Sequence, residues 1–182
     1  LGVRHFALSF SSCAKDIEML RGLSGEDSFI IAKIESRSGV ANFSSIATRA
    51  DAILIDRGDL SREIPIESIP AIQKQIAAKT RKIGVKLYIA TNLLESMINV
   101  PSPTRAEVND IYNSMLDGAD GLVLAAETAI GKYPVQCANM VVRIVNNHNN
   151  RLKKKNDISN LFSVESQLVK PHGGELVYNQ AN

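Results

Sequence analysis

Phe29-Ile30-Ile31-Ala32-Lys33-Ile34-Glu35-Ser36-Arg37-Ser38-Gly39-Val40 sets two opposite charges inside an apolar, β-favouring run. Side chains alternate across a strand, so Ile31, Lys33 and Glu35 share one face while Ile30, Ala32 and Ile34 share the other. If the second face packs on helices, as parallel strands require, the first lines an enclosed interior. Lys and Glu are seldom buried without partners, so that interior is expected to hold an ion, a ligand or further charges. The bland alternative is a buried Lys33–Glu35 pair that only fixes packing.

Working outward, the run is one of several. Val3 to Phe10 reads as a strand, and Ser11 or Ser12 offers the cap of a helix carrying Ala14, Ile17, Met19 and Leu20. Ser38 to Ala47 reads as a short helix. Ala52 to Ile55 is a third strand, closed by Asp56-Arg57-Gly58-Asp59, where Gly permits close ligand approach. Ile69, Ile72, Ile76 and Ala77 form one apolar helical stripe that ends at Gly84. Lys86 to Thr91 is a fourth strand, and Asn92 to Ile98 a short helical segment. Thr104 caps a helix bearing Val108, Ile111, Met115 and Leu116. Gly121 to Leu124 is a fifth strand, and Pro134 fits the first turn of a last helix. From Asn146 to Asn160 the chain reads as a linker or frayed helix end.

Five strands alternating with helices imply a parallel sheet in an α/β fold. Lys33, Glu35, Asp59, Thr91 and Glu127 fall at or just beyond the carboxyl ends of successive strands, where triosephosphate isomerase (TIM) barrels assemble their sites. An open doubly wound sheet would favour a Gly-rich first turn, and neither GxGxxG nor GxxxxGK[ST] occurs. The expectation is a partial TIM (β/α)8 barrel of about five parallel βα units. The remaining strands lie outside this chain, or another copy completes the sheet.

Composition narrows the function classes. The 182 residues are 45% hydrophobic, and 21 basic residues against 19 acidic ones give a net charge of +2. That balance suggests neither a nucleic-acid surface nor a membrane anchor. Lys153-Lys154-Lys155 reads as a solvated linker. Cys13 and Cys137 show no metal-ligand spacing, so two free thiols in a reducing, cytoplasmic setting are expected. No apolar run reaches membrane-span length, and none reads as a secretory leader. An opening Leu1 in place of Met hints at processing, truncation or a piece of something longer.

From Phe6 to about Asn146 the motifs follow one another in an order that resembles the second part of the catalytic barrel of pyruvate kinase. Ile31-Ala32-Lys33-Ile34-Glu35-Ser36 resembles that family's active-site signature, and Arg57-Gly58-Asp59-Leu60 with Glu63-Ile64-Pro65 its metal and carboxylate loop. Ala90-Thr91 with Leu94-Glu95-Ser96-Met97 resembles the next strand and helix. Pro103-Thr104-Arg105-Ala106-Glu107, Leu116-Asp117-Gly118-Ala119-Asp120-Gly121 and Glu127-Thr128-Ala129 complete the series.

The resemblance implies transfer of a phosphoryl group from phosphoenolpyruvate to ADP, giving pyruvate and ATP. Lys33 and Thr91 are then the catalytic residues, Lys33 neutralising the phosphoryl group and Thr91 serving proton delivery to the enolate. Glu35 and Asp59 hold Mg2+ or Mn2+, and Arg57, Gly58, Asp59 and Thr91 bind substrate. Phosphoryl transfer rests on positioning and charge stabilisation, which a Lys and a carboxylate-held cation supply. K+ is implied as well, with ligands outside this chain. A homo-oligomer, or membership of a longer chain, goes with the reading, and neither nucleic acid nor membrane is a partner.

Departures from the pattern mark where this chain differs. Asp56 stands where the family has a small apolar residue, which is expected to weaken anion binding unless it pairs with Arg57 or turns away. Ala125-Ala126 replaces Ser-Gly, Ile130 stands in place of a basic residue with Lys132 displaced by two, and Asn92 and Ser102 are milder changes. The segment Leu168 to Val177, with Pro171-His172-Gly173-Gly174, resembles the opening of ATP sulfurylases. The organisation expected is a partial barrel over 1–148, a linker over 149–167 and the start of a sulfurylase-like domain over 168–182. Two other classes remain open: a non-catalytic scaffold module fused to a sulfate-activating enzyme, and a magnesium-dependent pyruvate lyase or aldolase.

Overall fold

The computed structural model describes residues 2–153; the linker and the Pro-His-Gly-Gly stretch expected further on lie outside them. The chain divides into two compact units, Leu1–Val145 and Asn146–Asn182, and within the second the described residues continue a helix to Lys153.

In the first unit β1 (His5–Leu8), β2 (Phe29–Ile34), β3 (Ala52–Asp56), β4 (Lys86–Ala90) and β5 (Gly121–Val123) form one sheet, parallel throughout, in the order 1-2-3-4-5. That order decides between the α/β architectures. A doubly wound sheet reverses its strand order at a switch point, whereas a (β/α)8 barrel lays each strand beside the one before it. This sheet is five consecutive staves of a barrel. The helices are α1 (Ala14–Ser24), α2 (Arg37–Ala41), α3 (Phe43–Ala47), α4 (Arg57–Leu60), α5 (Ile69–Ile83), α6 (Arg105–Asp117), α7 (Ala126–Ala129) and α8 (Pro134–Lys153).

The two faces of β2 separate as its alternation requires. Ile30, Ala32 and Ile34 are fully buried with Ile53, Ile55, Leu87 and Ile89, the apolar layer under the helices. Ile31 and Lys33, on the other face, are only half-buried. The interior expected to be enclosed is therefore open here, because five staves cannot close a ring that needs eight. On that open face the Tyr88 ring covers Gly121 so closely that a Cβ there would stand 2.5 Å from it.

At the opposite, amino-terminal ends of the strands, carboxylates finish the hydrogen bonding. Asp51, just before β3, accepts the Ile30 N–H of β2 at 2.8 Å, and Asp120, just before β5, accepts the Leu87 N–H of β4 at 2.8 Å. Burial pushes the Asp51 carboxyl up, but the Arg21 guanidinium at 2.9 Å and the Ile30 amide outweigh it and leave the group below its ordinary range. Glu107 fastens the start of α6 by accepting from both backbone and hydroxyl of Thr104 and Ser96. Thr104 caps α6 as the sequence predicts.

Several local expectations need correcting. The first strand is shorter than Val3 to Phe10, because Phe10 turns to φ 52° and leaves the ladder. Cys13, not Ser11 or Ser12, sits at the cap of α1, with the Asp16 carboxylate reaching back to the N–H groups of Ser12 and Cys13 at 2.8 and 2.9 Å. The helix expected over Ser38 to Ala47 is two, broken at Asn42. Between Asn92 and Ile98 only Glu95–Ile98 is helical, as a single 3-10 turn.

Candidate functional site

Charged and polar side chains gather at the carboxyl ends of β2, β3 and β4. Ile34 pairs in register with Ile55, so Glu35 and Asp56, each one residue further on, come side by side on the open face. Glu35 is 1% exposed despite its charge. Its Oε2 accepts the Phe10 N–H at 2.6 Å, which gives the left-handed turn at Phe10 its use. Its Oε1 is ion-paired with Lys33 Nζ at 2.5 Å. An ammonium and a carboxylate this close make a charge-assisted contact.

Lys33 Nζ also faces Asp56 Oδ2 at 3.6 Å. Burial works against the ammonium, but Glu35 and Asp56 together outweigh it and hold Lys33 above its ordinary range. Asp56 in turn accepts the Thr91 hydroxyl at 2.6 Å and, more weakly, the Asp59 N–H at 3.4 Å. One oxygen from each of Glu35, Asp56 and Asp59 lies within 4.8 Å of the other two. Three carboxylates, all oxygen donors and one of them 1% exposed, suit a hard divalent cation.

The loops around this cluster are built by close approach and by backbone that other sites avoid. Thr91 and Asn92 are consecutive non-glycine residues at φ 73° and 59°. Such conformations persist only when the surroundings enforce them, and they concentrate at functional sites. Here the enforcement is visible. Arg57 donates from Nε and Nη2 to the Thr91 carbonyl at 3.3 and 2.9 Å, while Nη1 is anchored on Asp110 at 2.8 Å. A Cβ at Gly58 would stand 2.7 Å from the Thr91 methyl, so glycine lets α4 press on Thr91 and turn its hydroxyl to Asp56.

The barrel-domain family model of pyruvate kinase matches residues 1–138. The chain belongs to the pyruvate kinase family. It is 40% identical over 146 residues to pyruvate kinase 2 of Synechocystis sp., covering 79% of this chain and 25% of that one. It is 43% identical to the pyruvate kinase of Thermoplasma acidophilum over 146 residues, 79% of this chain and 27% of the relative. With the pyruvate kinase of Methanocaldococcus jannaschii it shares 42% over 150 residues, 79% and 34% of the two chains. The chain thus spans about a quarter to a third of the length of the curated relatives it matches.

Of the residues singled out in the sequence, the structure brings together Lys33, Glu35, Asp59, Gly58 and Thr91. The Arg57 side chain is committed to Thr91 and Asp110 and acts as a strut. Asp56, expected to disturb an anion site, neither pairs with Arg57 nor turns away, but joins Lys33, Thr91 and Asp59. Glu127 is not in the cluster, since its carboxylate accepts the N–H groups of Leu94 and Ala125 at 3.2 and 2.9 Å. Among the described residues no helix is long and apolar enough to cross a membrane.

Proposed function

We propose that this chain supplies the phosphoenolpyruvate side of a pyruvate kinase-type phosphotransfer site, acting in the cytoplasm as part of a longer chain or an oligomer. The observation that carries the reading is the Lys33 ammonium standing against Glu35 and Asp56 beside Asp59, at the carboxyl ends of barrel strands. Glu35 and Asp59 hold Mg2+ or Mn2+, which when bound neutralises substrate oxygens and draws charge from the transferring phosphoryl group. K+ and the nucleotide contacts are to be provided by strands outside this chain.

The chain's own residues divide the remaining work. Lys33 offsets negative charge on the phosphoryl group as its bond to the enol oxygen breaks and one to the ADP β-phosphate forms. Backbone amides at Gly58 and Asp59 receive the substrate carboxylate. The Thr91 hydroxyl, fixed by Asp56 and by the Arg57 grip on its carbonyl, stands on the route that brings a proton to the enolate carbon. The runner-up is a non-catalytic module, for which Ile130, 78% exposed in place of a basic residue, is the favouring observation.

A Mn2+ titration of the wild type and Glu35→Gln, followed by calorimetry, tests the reading. Loss of the buried charged ligand is expected to weaken binding about tenfold or more, in the range seen when metal-site groups are altered. Equal affinity in the two proteins would remove the site.

A further inference from the structure

We infer that Asp56 is a third carboxylate of the cation site, strengthening its hold on a divalent cation while weakening its hold on anionic substrate. The inference rests on the proposed function and names the residue that sets this chain's balance between cation and substrate. Two independent observations meet in it. The first is the mutual approach of Glu35, Asp56 and Asp59 within 4.8 Å. The second is the burial of Glu35, 1% exposed, whose Oε1 meets Lys33 Nζ at 2.5 Å while the same ammonium stands 3.6 Å from Asp56 Oδ2, one cation shared by the two carboxylates.

Charge explains the direction. Glu35, Asp56 and Asp59 carry three negative charges, and Lys33 returns one, leaving a deficit equal to one divalent cation. Arg62 reaches Asp59 at 3.2 Å but is 79% exposed, and water screens it. Arg57 is spent on Asp110. With a small apolar residue at position 56, the loaded site would carry one net positive charge to attract an anion; with Asp56 it is neutral. Asp56 also accepts the Asp59 N–H, one of the amides a substrate carboxylate would need. Both effects favour cation over anion.

The test uses the whole 182-residue chain and Mn2+ as probe, read by water-proton relaxation. Asp56→Asn removes the charge and keeps an oxygen to accept from Thr91 and Asp59. It is expected to weaken Mn2+ binding about tenfold, and phosphoenolpyruvate is expected to bind the Mn2+-loaded variant more tightly than the loaded wild type. If Glu35→Gln weakens Mn2+ and Asp56→Asn does not, the inference is overturned while the proposed function stands. If neither weakens it, the cation site itself is wrong. Should Asp56→Asn fail to fold, the number of waters on Mn2+ bound to the wild type decides. Three carboxylates leave an octahedral ion about three or fewer waters, and four or more would overturn the inference.

Discussion

Pyruvate formation from phosphoenolpyruvate and ADP by these 182 residues is expected to stay at the level of the Lys33→Met variant. The reasons are physical and sit on the open face. Lys33 is only half-buried there, and water that reaches an ammonium weakens its effect on a transferring phosphoryl group. Preorganised charge is strong when water is excluded, and five staves exclude it from one side only. A second deficit is positioning: without strands to hold ADP, the reaction forgoes orientation worth on the order of 7 kcal/mol. Weak binding of phosphoenolpyruvate is still expected under the proposed function, because the cluster and the amides at Gly58 and Asp59 are present. Coupled detection of pyruvate, with Mg2+ and K+ supplied, makes the comparison. Turnover well above the Lys33→Met blank would show that the open sheet closes in solution or that the chemistry needs less enclosure.

A large structural effect is expected at Glu127, whose neighbourhood the family pattern ties to function. Its carboxylate is 2% exposed and bridges the Leu94 amide, after β4, to the Ala125 amide, after β5. Glu127→Ala would leave the buried Leu94 amide without an acceptor, at about 1–3 kcal/mol, and the half-buried Ala125 amide to be met by water at a smaller cost. A small cavity adds to this. The sum, roughly 1–4 kcal/mol, is a large share of what holds a domain of this size together. Urea denaturation should place the variant's midpoint far below that of the wild type. A shift of less than about 1 kcal/mol would mean that the two amides find other acceptors and that the clamp is incidental.

The contrast between these residues shows what the sequence carries. The alternation of Ile30, Ala32 and Ile34 with Ile31 and Lys33 reports burial directly, since a strand turns every second side chain the same way. The helix-facing layer follows from it, and the parallel sheet from the alternation of strands with helices; both are present. Asp56 was harder, because its partners come from β2, the turn after β4 and α4, and a register between strands is not written in any one of them. The partner of Arg57 was illegible for a similar reason, since Asp110 lies far along the chain on α6. The break at Asn42 and the left-handed pair Thr91-Asn92 had no local signal such as glycine to announce them. Neighbouring loops and side chains hold them in place.

The central claim, that this segment carries the phosphoenolpyruvate half of a phosphotransfer site, is tested most directly by supplying the missing barrel. Residues 1–138 would replace the matching segment of the pyruvate kinase of Methanocaldococcus jannaschii. Divalent-cation-dependent pyruvate formation is then measured with and without Lys33→Met. The expected result is turnover by the chimera that falls by about 100-fold or more in the variant, the scale of losing one transition-state charge contact. A folded chimera that forms no pyruvate, or one whose rate ignores Lys33→Met, would contradict the account.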